Sequence, residues 1–225
     1  MDATWFGKRQ DKMGLLVAKD TVNKEPIGYN FIHRETKEVY KALWEQLKSR
    51  GFVLQAVVLD GKPGIMELFH DIPVQMCHFH MHAIITRKLT KNPRMQAAID
   101  LKRIVHYLGN VSQKRFYCML NAWQHRYADF LAEKTPDDSK RGWHYTHKRL
   151  RSAYRSLVRF SPYLFTYLNY PDLHIPNTTN LLDGGCFSPL KDLLKVHRGI
   201  SIEMKQKLII SFLENRVKQP HKNDL

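Results

Sequence analysis

Acidic residues are scarce in this chain of 225 residues: 21 Asp and Glu stand against 36 Lys and Arg, a formal net charge of +15. Such an excess argues for a polyanionic partner, because basic side chains neutralise phosphates and release their counterions. Cysteine is scarcer still. Cys77, Cys118 and Cys186 are odd in number and far apart, which excludes a disulfide framework and points to a reducing, cytoplasmic compartment. No run of about 18 apolar residues occurs, so no transmembrane helix is expected and no membrane partner. No basic, apolar, small-residue signal peptide opens the chain. Internal repeats and low-complexity tracts are also missing. Nucleic acid is the partner these absences leave in front.

What is present reads as an ordered globular protein, 43% apolar and 11% aromatic. Residues 1–80 have an α/β pattern. Residues 3–8 are extended and aromatic, 14–18 form a short apolar run, and 27–32 make a third strand introduced by Pro26. Thr36 caps a helix with Val39, Leu43, Trp44 and Leu47 on one face, and Gly51 is placed to end it. Residues 52–59 are near-continuously apolar, as a central strand covered on both sides would be. That run ends in the turn Asp60-Gly61-Lys62-Pro63-Gly64 and a short helix. Residues 72–76 form another short strand before Cys77-His78-Phe79-His80.

Residues 81–175 turn helical. Phe116, Leu120, Trp123, Tyr127 and Phe130 recur at helical spacing and read as core. Pro93 suits the start of the preceding helix, which Gly109 terminates. Residues 135–139 form a loop, and a helix is expected over 140–159. Breaks at Pro171 and Pro176 separate this block from 176–225, whose last two helices are divided by Gly199. An all-helical insertion inside an α/β core explains this order better than two consecutive domains, because the final helices otherwise have little to pack on.

Asp2 lies in the first strand and Asp60 ends the central one, so neighbouring strands would bring two carboxylates to one sheet edge. Mg²⁺ is typically held by one or two carboxylates together with substrate phosphate. An Asp-Gly pair after a strand is also an ordinary turn, and the pattern alone leaves both readings open. Cys77-x2-His80 could begin a zinc site that His144-x2-His147 completes, or serve the core or the substrate. His78 and His82 read as solvent-facing or near DNA. Seven cations, Lys140, Arg141, Lys148, Arg149, Arg151, Arg155 and Arg159, share one segment with Trp143, Tyr145 and Tyr154 and no acid. Phosphate contacts and base stacking need that mixture. Arg87, Lys88, Lys91 and Arg94 form a second basic group.

Four stretches occur in a telling order: Asp2-Ala3-Thr4-Trp5-Phe6-Gly7, Asp60-Gly61-Lys62-Pro63-Gly64, Gln75-Met76-Cys77-His78-Phe79-His80 and Thr179-Asn180-Leu181-Leu182-Asp183-Gly184-Gly185. With His197-Arg198-Gly199 near the end, they resemble the DDE transposases of bacterial insertion sequences, Mutator-like group, across essentially the whole chain. The resemblance implies an RNase H-like core interrupted by an all-helical insertion, with residues 1–80 and 176–225 forming the core and 81–175 the insertion. It implies metal-dependent DNA strand cleavage and strand transfer with two Mg²⁺ or Mn²⁺ ions, held by Asp2, Asp60 and Asp183 as catalytic acids. DNA, as transposon ends and target, is the implied partner, bound by a homo-oligomer in a cytoplasmic, nucleoid-associated setting. The implied DNA contacts are Cys77, His80, Arg87, Lys88, Arg141, Lys148, Arg149, Arg151, Arg155, His197 and Arg198.

Two departures from the family pattern set the alternatives. The third acid there is usually Glu, and Asp183 is one methylene shorter, a change in reach of about 1.5 Å; displacements of about 1 Å cost on the order of 100-fold in rate. Met1 stands directly before Asp2 and no end-recognition segment precedes it, which reads as an N-terminal truncation. The alternatives are therefore a catalytically inactive remnant that only binds DNA, or a repurposed nuclease of the RNase H fold.

Overall fold

A computed structural model describes residues 1–7 and 13–217 of the chain; Lys8, expected at the end of the first strand, lies outside the described residues. In chain order the strands are β1 (Asp2–Phe6), β2 (Met13–Lys19), β3 (Pro26–Ile32), β4 (Val57–Leu59), β5 (Val74–Met76), β6 (Lys134–Pro136) and β7 (Trp143–Tyr145). The helices are α1 (Lys37–Ser49), α2 (Pro63–Met66), α3 (His78–Leu89), α4 (Gln96–His106), α5 (Gln113–Arg126), α6 (Ala128–Ala132), α7 (Lys148–Phe160), α8 (Thr166–Asn169), α9 (Asn180–Leu182), α10 (Ser188–Val196) and α11 (Ile202–Glu214). The fold is mixed α/β. It divides into two compact units, one formed by Met1–Val74 with the described part of Thr179–Leu225 and the other by Gln75–Thr178. The boundary falls within β5.

In the first unit, β1, β2 and β3 form an antiparallel sheet with β2 in the centre. Side chains alternate between faces along a strand, and both faces of β2 are buried. Met13, Leu15 and Val17 join Phe6 of β1 against Leu182, Cys186, Phe187, Leu190, Leu194, Ile209 and Leu213 from the C-terminal helices. The opposite face meets α1: a Cβ at Gly28 would touch Leu43 and Leu47. Gly28 pairs with Ala18, so Ala18 and Leu16 share that face. The uninterrupted apolar run of β2 is thus the signature of a strand between two helical layers.

Helix α1 ends as its sequence predicts. Gly51 adopts φ 84°, its N–H donates to Lys48 O at 2.9 Å, and Phe52 N–H donates to Leu47 O at 3.0 Å. The strand expected over 52–59 is shorter, since only Val57–Leu59 is extended and paired while Val53 is 86% exposed. Val57 N–H donates to Pro73 O at 2.9 Å. The N-terminal amine of Met1 donates to Val58 O at 3.0 Å, which ties the start of β1 to β4.

The second unit packs α3 against α4 and α7, and α4 against α5 and α7. Leu150, Ala153, Leu157 and Phe160 form the buried stripe of α7, with Phe116 and Phe165 in ring contact at 5.3 Å elsewhere in the core. Phe116, Leu120 and Trp123 are buried as expected, while Tyr127 and Phe130 are half-buried.

Two elements of this unit differ from what its sequence predicts. The unit is not all-helical, because β6 and β7 pair as an antiparallel hairpin. The helix expected over 140–159 begins only at Lys148. Local turn chemistry outcompetes the helix. The Asp137 carboxylate accepts the Ser139 N–H at 3.1 Å and holds His144 Nδ1 at 2.6 Å, and Gly142 takes φ 71°. Trp143 and Tyr145 favour extended backbone, and the Thr135 and Thr146 hydroxyls meet across the hairpin at 2.8 Å.

Candidate functional site

The period of β1 decides where Asp2 points. Asp2, Thr4 and Phe6 share one buried face, the face that Phe6 shows to the C-terminal helices. Asp183 follows α9 on that side and opens a π-helical turn, Asp183–Phe187, in which the Ser188 N–H reaches back to Asp183 O. Carboxylate oxygens of Asp2 and Asp183 lie within 4.8 Å of one another. Asp2 is 4% exposed, and its Oδ1 accepts the Ala3 N–H at 2.8 Å. Asp183 Oδ2 is buried with no hydrogen-bond partner. A buried carboxylate oxygen without a donor is costly, and a cation relieves that cost. Single π turns of this kind recur at functional sites because they re-aim one side chain.

Two cations fasten this turn. Lys19 Nζ, at the end of β2, donates to Leu181 O at 2.9 Å, and the Arg216 guanidinium donates to Gly185 O. A side chain at Gly185 would meet Lys19 Nζ at 3.4 Å, so the glycine leaves room for that approach. Burial holds the Lys19 ammonium below its ordinary pKa, with the nearby Cys186 thiol opposing the shift and Arg216 adding to it.

Asp60 follows β4, half-buried, with its Oδ1 shielded from solvent. It does not join Asp2 and Asp183 within 4.8 Å among the described residues. Asp60 and Asp2 instead meet electrostatically at Tyr40. This tyrosine of α1 is fully buried, and its pKa is raised by burial first, then by Glu35 and Asp60, and further by Asp2. The Tyr40 hydroxyl donates to Glu35 Oε1 at 2.9 Å, and Glu35 Oε2 pairs with Lys62, two residues after Asp60. The Glu35 side chain is only 9% exposed.

In the second unit the stretch from Gln75 to His80 serves structure first. Gln75 is fully buried; its Nε2 donates to Met76 O at 2.7 Å and Leu164 O at 3.1 Å, and its Oε1 accepts the Tyr167 N–H at 3.0 Å. His78 Nε2 sits 2.7 Å from the same Leu164 carbonyl, so that nitrogen carries the proton, while Nδ1 is buried without a partner. Burial lowers the His78 pKa, the Leu164 hydrogen bond opposing it; burial lowers the His82 pKa as well. His78 is therefore a core residue rather than a solvent-facing one. Cys77 is fully buried at the N-cap of α3, which removes its thiol from the surface set. His80 lies half-buried on the first turn of α3. His144 and His147 hold Asp137 at 2.6 Å and Glu133 at 2.8 Å respectively.

The basic groups of this unit converge. Lys88 Nζ on α3 donates to Ser152 Oγ on α7 at 2.6 Å, and an Arg149 Nη donates to Arg87 O at 2.8 Å. Lys148, Arg149, Arg155 and Arg159 are exposed on α7, and none of its cations forms an ion pair among the described residues. Beside them, Lys134 and Arg141 lie over the Trp143 ring at 4.1 and 4.8 Å, and Arg151 lies over Tyr145 at 3.5 Å. His197 and Arg198, in the first unit, are exposed in the turn after α10.

Comparison with known protein families, with curated proteins and with solved structures finds no match for this chain.

Sequence reading missed Tyr40, Glu35, Lys19 and Arg216. Tyr40 carries one signal, a phenol within the buried stripe of α1; buried tyrosine hydroxyls need a partner. The two cations carry none, because their acceptors are backbone carbonyls far away in the chain.

Proposed function

We propose that this chain is the catalytic region of a DDE transposase of the Mutator-like group, performing metal-dependent cleavage and transfer of DNA strands. The approach of the Asp2 and Asp183 carboxylates to within 4.8 Å, with Asp183 Oδ2 buried and lacking any donor, carries this reading. Two such groups repel unless a cation or a proton lies between them. Carboxylate oxygens fit a hard divalent ion, Mg²⁺ or Mn²⁺. Asp2 and Asp183 would hold it directly, and Asp60 would complete the set. When bound, the ions supply positive charge to the attacking and leaving oxygens of the phosphate. The chain's own share is placement: β1 fixes Asp2, the clamped π turn fixes Asp183, and the series from buried Tyr40 through Glu35 to the partly exposed Lys62 shapes the surroundings of Asp60.

An RNase H-like core is supported by the antiparallel β1–β2–β3 sheet, the helix α1 that follows it, and the tie from Met1 to Val58 of β4. In the chain, the second unit interrupts the first between β4 and α9. The unpaired cations of α7 suit a DNA partner, transposon end or target, by charge neutralisation. A second reading, a remnant that binds DNA without cutting it, is favoured by one observation: Asp60 stands outside the close pair.

The deciding experiment incubates supercoiled plasmid with the protein and Mn²⁺, beside an Asp60→Ala variant. Nicking by the parent chain and not by the variant supports the transposase reading. Salt-sensitive plasmid retention without nicking in both supports the remnant.

A further inference from the structure

Helix α7 forms one wall of an open groove of about 210 Å³ that the metal site does not use, lined by Gln124, Ala128, Leu131, Arg151, Tyr154 and Arg155. That is below the range of about 300–1,000 Å³ of pockets that enclose a drug-sized ligand, so the groove suits a single flat group laid against an open wall. Three features of its walls narrow the choice of ligand.

The first is charge. Arg151 and Arg155 are one helical turn apart and project to the same side, and like charges at that spacing repel unless an anion lies between them. Neither forms an ion pair among the described residues, and α7 itself contains no acid. The second is rigidity. Arg151 already donates to Leu131 O and rests on the Tyr145 ring, so its guanidinium is held before any ligand arrives. The third is a flat aromatic surface. Tyr154 stacks on Trp123 with ring centroids 5.4 Å apart and planes at 28°, and Trp123 is anchored through its indole N–H to Ala97 O at 2.9 Å. Tyr154 is half-buried, and Leu131 and Ala128 extend the apolar lining beside it.

A flat apolar surface beside two guanidinium groups complements a flat ring joined to a phosphate. We propose that this groove is a subsite for one unstacked nucleotide of a single DNA strand, its base against Tyr154 and its phosphate between Arg151 and Arg155. Planar guanidinium groups bind phosphate oxygens in pairs, and base–aromatic stacking is tolerant of sequence. A paired base in a duplex has both faces covered by its neighbours and cannot use the aromatic wall. The subsite therefore selects unpaired over paired DNA at this position. It rests on the nucleic-acid part of the function proposed above and is independent of the metal site.

The test measures binding of a fluorescein-labelled oligothymidylate and of a mixed-sequence duplex of equal length, in low salt with EDTA. The parent chain is compared with Arg155→Ala, Tyr154→Leu and, as a control on the same helix outside the groove, Lys148→Ala. Arg155 is exposed, so its replacement leaves the core intact, and circular dichroism checks the Tyr154 variant. The expected result is a loss of about tenfold in single-strand affinity for Arg155→Ala and Tyr154→Leu, with duplex affinity within threefold of the parent. Lys148→Ala should weaken both DNAs alike. Equal losses for both DNAs in the groove variants, or no loss beyond that of Lys148→Ala, overturn the subsite while leaving DNA binding in place. No retention of either DNA by the parent chain overturns the nucleic-acid reading itself.

Discussion

The hydroxyl of Tyr40 donates to the Glu35 carboxylate at 2.9 Å in a part of the first unit where Asp2 and Asp60 also act on that hydroxyl. A fully buried phenol thus feels three carboxylates, from β1, from the turn after β4 and from the loop just before α1. Its proton is bound more tightly than usual.

Replacing Tyr40 by Phe removes the donor and keeps the ring. Glu35, almost buried, then retains Lys62 alone. The expected loss is about 1–3 kcal/mol, the cost of leaving a buried acceptor unsatisfied. Urea denaturation measures it, and an unchanged midpoint would show that the hydroxyl contributes nothing.

Lys19→Met and Arg216→Ala release the carbonyls of Leu181 and Gly185 and loosen the turn that aims Asp183. Groups that orient metal ligands typically change metal affinity by about 10- to 100-fold when lost. Mn²⁺ titration of the two variants should show weakening of about tenfold. Arg216→Lys, which keeps a cation, should lie between them and the parent.

Gly14 sits in the central strand with no room for a side chain. A Cβ there would lie 2.7 Å from both Ile32 Cγ1 and Trp5 Cζ3, and 2.8 Å from Ile32 O, a backbone atom that cannot swing aside. Gly14→Ala should destabilise by about 1–3 kcal/mol through overpacking. Gly199→Ala, where nothing lies within 4 Å, should stay within about 0.5 kcal/mol of the parent. Thermal melts of the two variants side by side check the contrast.

His78 predicts an acid-side loss of stability. Its folded pKa lies below the ordinary 6.5 because burial disfavours the imidazolium, so the unfolded chain binds the proton first. The stabilisation is complete above about pH 6.5 and is lost as pH falls from there toward the folded pKa. His82, shifted in the same direction, adds to the slope. Stability measured between pH 8 and 5 should decline below about 6.5, and a His78→Gln variant should show a shallower decline.

Much of this was readable beforehand where a local rule governs. The apolar run of β2 and the Gly51 stop of α1 follow from burial on two faces and from a left-handed glycine. The cations of α7 were visible as a charge run. Long-range effects were not readable. Hydropathy favours a strand over 52–59, yet pairing partners exist only for Val57–Leu59. Helical spacing favours α7 from residue 140, yet the Asp137 side chain and Gly142 build a hairpin turn instead. Strand position puts Asp2 and Asp60 at one sheet edge, with an ordinary turn as the other reading of Asp60, whereas Asp183 stands out only through resemblance. That Asp2 and Asp183 approach closely, while Asp60 belongs to the Tyr40 neighbourhood, depends on sheet faces and a π turn that no spacing encodes.

A divalent ion held by Asp2 and Asp183 is the proposal on which the function rests. Isothermal titration with Mn²⁺ of the parent chain and of Asp183→Asn, which keeps the size and removes the charge, tests it most directly. The parent should bind Mn²⁺, and the variant should lose at least tenfold in affinity. Equal Mn²⁺ affinity in the two chains would contradict it.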